Sequence, residues 1–176
     1  MDKNLILKSD FNFSIIKLNE NQKLINNLID LNSKANKYDL MITESIAREI
    51  AVYRSTALIE NERFEINSNA VSRLTSAFLE SRYIEQKDFA DTIGEIINIF
   101  YHIKNETDNE ISDDDLISEM LKVFTETCFG SIEIMQSKGL EKILRQYKMN
   151  DTDIWNDYEN INWEDYYDIG NESWRE

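Results

Sequence analysis

The scarcity of proline and glycine limits the folds that this chain can adopt. The sequence has no proline and four glycines in 176 residues, although about nine prolines would be expected at average usage. Sandwiches and barrels need many tight turns, which draw on these two residue types, whereas long helices need few of either. We therefore predict a mainly α-helical fold, and the length suits one domain with an appendage.

Hydrophobic spacing locates the predicted helices. Apolar residues recur three and four positions apart in about six segments within residues 1–150, as on one face of an amphipathic helix. Thr43, Ser112 and Ser131 stand where helix N-caps are expected, and Ser112 with Asp115 resembles a capping box. Gly94 lies inside the strongest helical pattern, which predicts a close helix crossing there. The prediction is a single helical domain of about six helices over residues 1–150.

Three short stretches are also compatible with extended structure. "KYDLMIT" (37–43) and "ERFEI" (62–66) alternate apolar and polar residues, as half-buried strands do. They could pair as two short antiparallel strands beside the intervening helix. "FNFSIIKL" (11–18) is compatible with a short strand or an extended arm.

Residues 151–176 form an acidic, aromatic C-terminal tail. The whole chain has a net charge of −15, and this tail holds nine acidic residues and one basic residue. Aromatic rings gain free energy by leaving water, whereas carboxylates resist burial. The rings must therefore pack on the helical body or on a partner. The predicted partner-binding residues are Trp155, Tyr158, Trp163, Tyr166, Tyr167 and Trp174.

The charge distribution favours a non-enzymatic interaction or regulatory protein that binds a basic protein partner. A negative surface repels nucleic acid and anionic membranes, so we expect no direct contact with either. Two alternatives remain open: a DNA mimic that inhibits a nucleic-acid-binding protein, and a metal-dependent enzyme that uses the carboxylates of Asp113, Asp114 and Asp115. We find no signal peptide and no membrane span, and therefore expect a cytoplasmic protein. Abundant Asn, Ile and Lys suggest a bacterial source.

Other chemistry finds little support in the sequence. His102 is the only histidine and Cys128 the only cysteine. We expect a surface histidine and a buried, inert thiol. Four scattered glycines cannot form a phosphate-binding loop, so no cofactor is predicted. Residues 108–119 place oxygen ligands at EF-hand positions, but Asp113 occupies the position that needs glycine. Capping explains this stretch better than calcium binding does.

Several longer stretches resemble one protein family. They are "IFYHIKNET", "ISDDDLISEM" and "CFGSIEIMQSKGLEKIL", and they are similar to a family of short proteins without an assigned function, chiefly from clostridial-type Firmicutes. The resemblance covers roughly residues 21–148. It implies a single, mostly helical domain with a strand-helix-strand stretch near residues 39–66, and it implies nothing about catalysis. The acidic tail is not a feature of that family.

Overall fold

The structure, a computed structural model, describes residues 19–65 and 69–148, and none of these lies in a β-strand. The helices, in chain order, are α1 (19–30), α2 (Asn32–Ala35), α3 (Glu44–Glu60), α4 (Asn69–Phe78), α5 (Phe89–Glu106), α6 (Asp113–Glu126), α7 (Ile132–Ile134) and α8 (Leu140–Lys148). Within the described residues, six helices are nine residues or longer. This confirms the prediction of a single domain of about six helices.

Helix α5 is the centre of the domain. It contacts α3, α4, α6, α7 and α8. Eleven of its eighteen residues are buried, and they fall on more than one face of the helix. A helix that is apolar on most sides belongs in the interior, so the other helices pack around α5.

The crossing of α3 and α5 is close, as the sequence predicted. A Cβ atom added to Gly94 would lie 2.4 Å from Cγ of Tyr53, so only glycine leaves room for this ring. The Tyr53 hydroxyl also donates a hydrogen bond of 2.6 Å to Oδ1 of Asp91. This hydrogen bond is the main cause that raises the pKa of Tyr53 to about 12.

The first predicted strand, "KYDLMIT", does not form. Asn36–Tyr38 is a 3-10 helix, and Asp39 has a left-handed backbone with φ of 56°. Ile42 then bonds to a side chain, because its N–H donates to Oδ1 of Asn32 at 2.7 Å and its carbonyl accepts from Nδ2 at 2.8 Å. A side-chain amide thus provides the pairing that a neighbouring strand would have given.

The second predicted strand, "ERFEI", is also wrong over its described residues. Glu62 has a left-handed φ of 52°, and the N–H of Arg63 bonds to the carbonyl of Leu58 at 2.8 Å. These residues form the turn that ends α3, so the strand-helix-strand expectation fails as well. Residues 11–18, predicted to form a short strand or an extended arm, lie outside the described residues. The acidic tail, residues 151–176, does so as well.

The predicted helix caps are confirmed where the structure describes them. The Thr43 hydroxyl accepts a hydrogen bond from the N–H of Ile46, and the Ser131 hydroxyl accepts one from Ile134. Ser112 caps α6 in the same way, through the N–H of Asp115. No helix in the described part of the chain has the length and apolar character needed to cross a membrane.

We expect Gly94→Ala to lower the free energy of unfolding by about 1–3 kcal/mol, as overpacking does. Helix propensity alone would favour alanine by about 1 kcal/mol, so the sign of the change separates packing from propensity. Chemical denaturation measures it. Lys122→Ala, at an exposed position of α6, is the control and should stay within about 0.5 kcal/mol of the unchanged protein. A Gly94→Ala protein of equal or greater stability would contradict the close crossing.

Candidate functional site: an acidic groove

An open groove of about 820 Å³ lies between the α5–α6 loop, the first two turns of α6 and the C-terminal end of α8. Most of its lining comes from one stretch of sequence, residues 106–119, and Tyr147 of α8 completes the lining. The lining residues are Glu106, Thr107, Asp108, Glu110, Ile111, Ser112, Asp115, Ser118, Glu119 and Tyr147. We call this feature the acidic groove.

The acidic groove carries a one-sided charge. Five of its lining residues are Asp or Glu, and among the described residues that line it none is Lys or Arg. Asp108, Glu110, Asp115 and Glu119 form no ion pair with any other residue that the structure describes. Like charges that share a concave surface reinforce one another and attract cations.

Lys104 fixes the α5–α6 loop, which lines the groove. Its Nζ donates a hydrogen bond of 2.6 Å to the carbonyl of Ile111 and lies 3.1 Å from Oδ1 of Asp113. The Lys104 side chain is only 8% exposed. Burial of an ammonium group is tolerated when acceptors surround it, so this lysine joins α5 to both the loop and the start of α6.

The loop is also held by side-chain hydrogen bonds from a residue that follows α3. Asp108 and Asn109 both have positive φ, of 46° and 63°, a conformation in which these residue types are enriched. Arg63 lies just beyond α3 and donates hydrogen bonds to Oδ1 of Asn105 at 2.8 Å and of Asn109 at 2.7 Å. The loop is therefore anchored at several points, which makes the groove pre-organised.

The three consecutive aspartates at the start of α6 each have a side-chain partner, and two of them share Arg73. Arg73 of α4 bonds Oδ2 of Asp113 at 2.8 Å and Oδ1 of Asp114 at 2.6 Å. Asp115 accepts a hydrogen bond of 2.6 Å from the Ser112 hydroxyl. All three also lie in the first turn of α6, where the helix dipole favours negative charge. Their arrangement matches the predicted capping role.

The stretch with the EF-hand pattern does not adopt the loop geometry of an EF-hand in the described residues. The second half of the EF-hand pattern is helical from Asp113 onward, so it cannot wrap a calcium ion, and Asp114 pairs with Arg73 instead. Across the described residues, no group of three or more His, Cys, Asp or Glu side chains is placed to hold a metal ion.

The phenol of Tyr147 lies near two of the carboxylates that line the groove. Burial raises the pKa of the Tyr147 hydroxyl, and the negative charges of Glu119 and Asp115 raise it further. Oε1 of Glu119 is buried and has no hydrogen-bond partner among the residues that the structure describes. A buried acceptor without a donor costs about 1–3 kcal/mol, so a bound cation or hydrogen-bond donor would be favoured beside Glu119.

The other candidate residues take the places that the sequence suggested, where the structure describes them. His102 is exposed and lines a shallow depression of about 230 Å³ with Asn98, Ile99, Gln136 and Leu140. Cys128 is fully buried, its Sγ lies 3.8 Å from Sδ of Met135, and burial raises the pKa of the thiol. The six aromatic residues predicted to bind a partner all lie outside the described residues.

The acidic groove was not predicted from the sequence. A signal was present, because residues 106–119 contain seven acidic residues and no basic one. We interpreted that run as helix capping, which accounts for Asp113, Asp114 and Asp115. The periodic pattern gives no means of placing Tyr147, which is 28 residues beyond Glu119, in the same groove.

We expect Lys104→Met to lower the free energy of unfolding by about 1–3 kcal/mol, because the Ile111 carbonyl and Asp113 would lose a charged partner. Amide exchange in residues 107–111 should accelerate as the loop loosens, and hydrogen exchange with mass spectrometry measures this. Lys122→Met, at an exposed position of α6, is the matched control. Unchanged exchange in the loop would show that Lys104 does not hold it.

The raised pKa of Tyr147 gives a pH prediction. The folded-state value lies above the unfolded value of about 10, so the folded chain binds more protons and the free energy of unfolding should fall as pH rises above about 10. Glu119→Gln should lower this pKa by removing a nearby negative charge. Ultraviolet titration measures this pKa. Subtracting the titration curve of Tyr147→Phe from that of the protein with Tyr147 isolates the signal of this phenol. Glu126→Gln is the charge-matched control, and an equal effect of both substitutions would contradict the assignment.

Comparison with known proteins finds a family and little else. Residues 27–153 match a family of unknown function designated DUF6323. No curated protein and no solved structure matches the chain.

The matched region includes every residue that lines the acidic groove, whereas the acidic tail from residue 154 onward lies beyond it. The sequence resemblance is thereby confirmed at the level of a family without an assigned function, and a clostridial origin stays a prediction. Since the match covers more than half of the sequence, the chain belongs to the DUF6323 family.

Proposed function

We propose that this chain is a non-enzymatic interaction protein whose acidic groove binds a Lys- or Arg-rich segment of a partner protein. The observation that carries the proposal is the groove itself, with five acidic lining residues and no described basic residue among them. The Asp113 and Asp114 carboxylates of the enzyme alternative are engaged by Arg73, which favours a binding role over catalysis.

The chemistry of the groove suits cationic side chains. Hydrogen bonds between Lys or Arg and a carboxylate are about twice as strong as bonds between neutral groups. Glu119 offers a buried acceptor that no described residue uses, and the Tyr147 ring beside it can contact the aliphatic part of a lysine or stack against a guanidinium. A short basic segment thus finds both charge and an aromatic surface.

The anchored loop supports affinity as well. Lys104 and Arg63 hold the loop in place before any ligand arrives, so binding requires little ordering of the protein. Pre-organisation improves affinity mainly by reducing that entropic cost. The negative field around the groove would also accelerate the encounter with a basic partner.

The acidic tail extends this proposal. Tyr147 lines the groove, α8 reaches Lys148, and the chain then continues into residues 151–176, with a net charge of −8. A basic partner in the groove would therefore meet more negative charge and the six tail aromatics. Trp and Tyr are frequent hot-spot residues, so these rings stay our predicted partner-binding residues.

A peptide-binding assay tests the proposal. Fluorescence anisotropy would follow a labelled peptide of alternating lysine and tyrosine with the full-length chain. The groove variant combines Asp108→Asn, Glu110→Gln and Glu119→Gln. It should bind at least about tenfold more weakly, since each charged hydrogen bond contributes about 1.5–3 kcal/mol. Binding should also weaken as salt rises.

The matched control removes three exposed carboxylates from other surfaces by Glu49→Gln, Glu60→Gln and Glu126→Gln. It should weaken binding by less than about twofold, because exposed charges far from a ligand are largely screened. Equal loss in both triple variants would mean that net charge alone attracts the peptide. The proposal of a groove site would then be wrong.

The tail is tested separately with Trp155→Ala, Trp163→Ala and Trp174→Ala combined in the full-length chain. If the rings contribute hot spots, this variant should bind the same peptide more weakly. The groove variant should still weaken binding by its own amount.

The DNA-mimic alternative requires that the basic partner be a nucleic-acid-binding protein. Competition between duplex DNA and this chain for such a captured partner tests that alternative.

A further inference from the structure

An apolar patch lies on the solvent side of α3. Val52 is 65% exposed and Ile59 is 67% exposed. These residues are seven positions apart, which is about two helical turns and about 10 Å along the axis, so they lie on one stripe of the helix. Large aliphatic side chains are unusual on the outward face of an amphipathic helix. We call Val52, Ile59 and the intervening Thr56 the α3 outer face.

The start of α1 lies against the edge of this face. Nδ2 of Asn21 donates a hydrogen bond of 3.5 Å to Oγ of Ser55. Ser55 is three positions after Val52 and four before Ile59, so its side chain is adjacent to both of them on the helix surface. The described chain begins at residue 19, two positions before this contact. Residues 1–18 therefore join the domain beside the α3 outer face.

Two acceptor atoms at this junction have no donor in the described part of the chain. Oε2 of Glu20 and Oδ1 of Asn21 are both buried, and neither accepts a hydrogen bond from a described residue. The great majority of buried acceptors in native proteins receive a hydrogen bond, because leaving one unpaired costs free energy. Donors brought by the preceding segment, such as backbone N–H groups or the ammonium of Lys17, would satisfy them.

We propose that residues 11–18, "FNFSIIKL", dock across the α3 outer face and cover Val52 and Ile59. The segment contains Phe11, Phe13, Ile15, Ile16 and Leu18, enough apolar surface to cover two aliphatic side chains. An extended chain spans about 3.3–3.6 Å per residue, so eight residues reach well past the 10 Å between Val52 and Ile59. The proposal is independent of the function of the acidic groove.

Charge favours this occupant over the C-terminal tail. Residues 1–18 contain three lysines and two aspartates, whereas residues 151–176 have a net charge of −8. The α3 outer face is flanked by the exposed carboxylates of Glu49 and Glu60. These would repel the acidic tail and attract Lys17.

Nuclear Overhauser measurements on the full-length chain test the docking directly. The expected result is cross-peaks from the methyl groups of Val52 and Ile59 to the ring protons of Phe11 or Phe13. Cross-peaks to the tail tryptophans instead would overturn the proposal, as would intermolecular cross-peaks from a second copy. Methyl groups without any such contact would also overturn it.

A double-mutant cycle gives a second test. Phe13→Ser and Ile59→Ser should each increase the unfolding equilibrium constant about tenfold, and the double variant should fall well short of the hundredfold expected for independent sites. Ile134→Ser, at an exposed position on α7, is the control and should combine additively with Phe13→Ser. Additivity of Phe13→Ser with Ile59→Ser would show that the two side chains do not meet.

Discussion

The burial of α5 is the constraint on which the rest of this domain depends. Five other helices contact it, and its buried side chains include Phe89, Phe100 and the fully buried Tyr101. Such a helix can form only if its neighbours approach closely on several sides. At Gly94 the approach is so close that the ring of Tyr53 occupies the space where any other residue would place its Cβ. The position of α3 follows from that contact, and with it the turn that carries Arg63.

The same helix connects the core to the acidic groove. Lys104 lies in the last turn of α5, where its buried ammonium binds the Ile111 carbonyl and Asp113. Arg63, which follows α3, binds Asn105 and Asn109. A loop rich in carboxylates would otherwise tend to spread, because like charges repel. Lys104 and Arg63 hold the loop in place. Asp108, Glu110 and Glu119, which form no ion pair with any described residue, line the groove.

Local patterns anticipated much of the fold because helices are largely local structures. The spacing of apolar residues predicted the six longer helices, and the hydroxyls of Thr43, Ser112 and Ser131 cap the helices that they precede. The predicted strands failed for an equally physical reason. Alternation in "KYDLMIT" reflects the burial of Leu40 and Ile42 on either side of exposed Met41, and irregular backbone can satisfy that pattern as well as a strand can. The side chain of Asn32 completes the hydrogen bonds of Ile42.

The sequence by itself determined that this protein is helical, where its helices begin and that it is strongly acidic, because these properties depend on residues near one another or on composition alone. Only the tertiary structure decided which carboxylates are neutralised and which remain available. Arg73 and Asp113 are forty positions apart, and sequence spacing gives no means of pairing them. Packing around α5 brings them together and places Asp108, Glu110, Glu119 and Tyr147 in one open groove. The amino-acid composition sets the negative charge, and the packing of the helices concentrates part of it at one site.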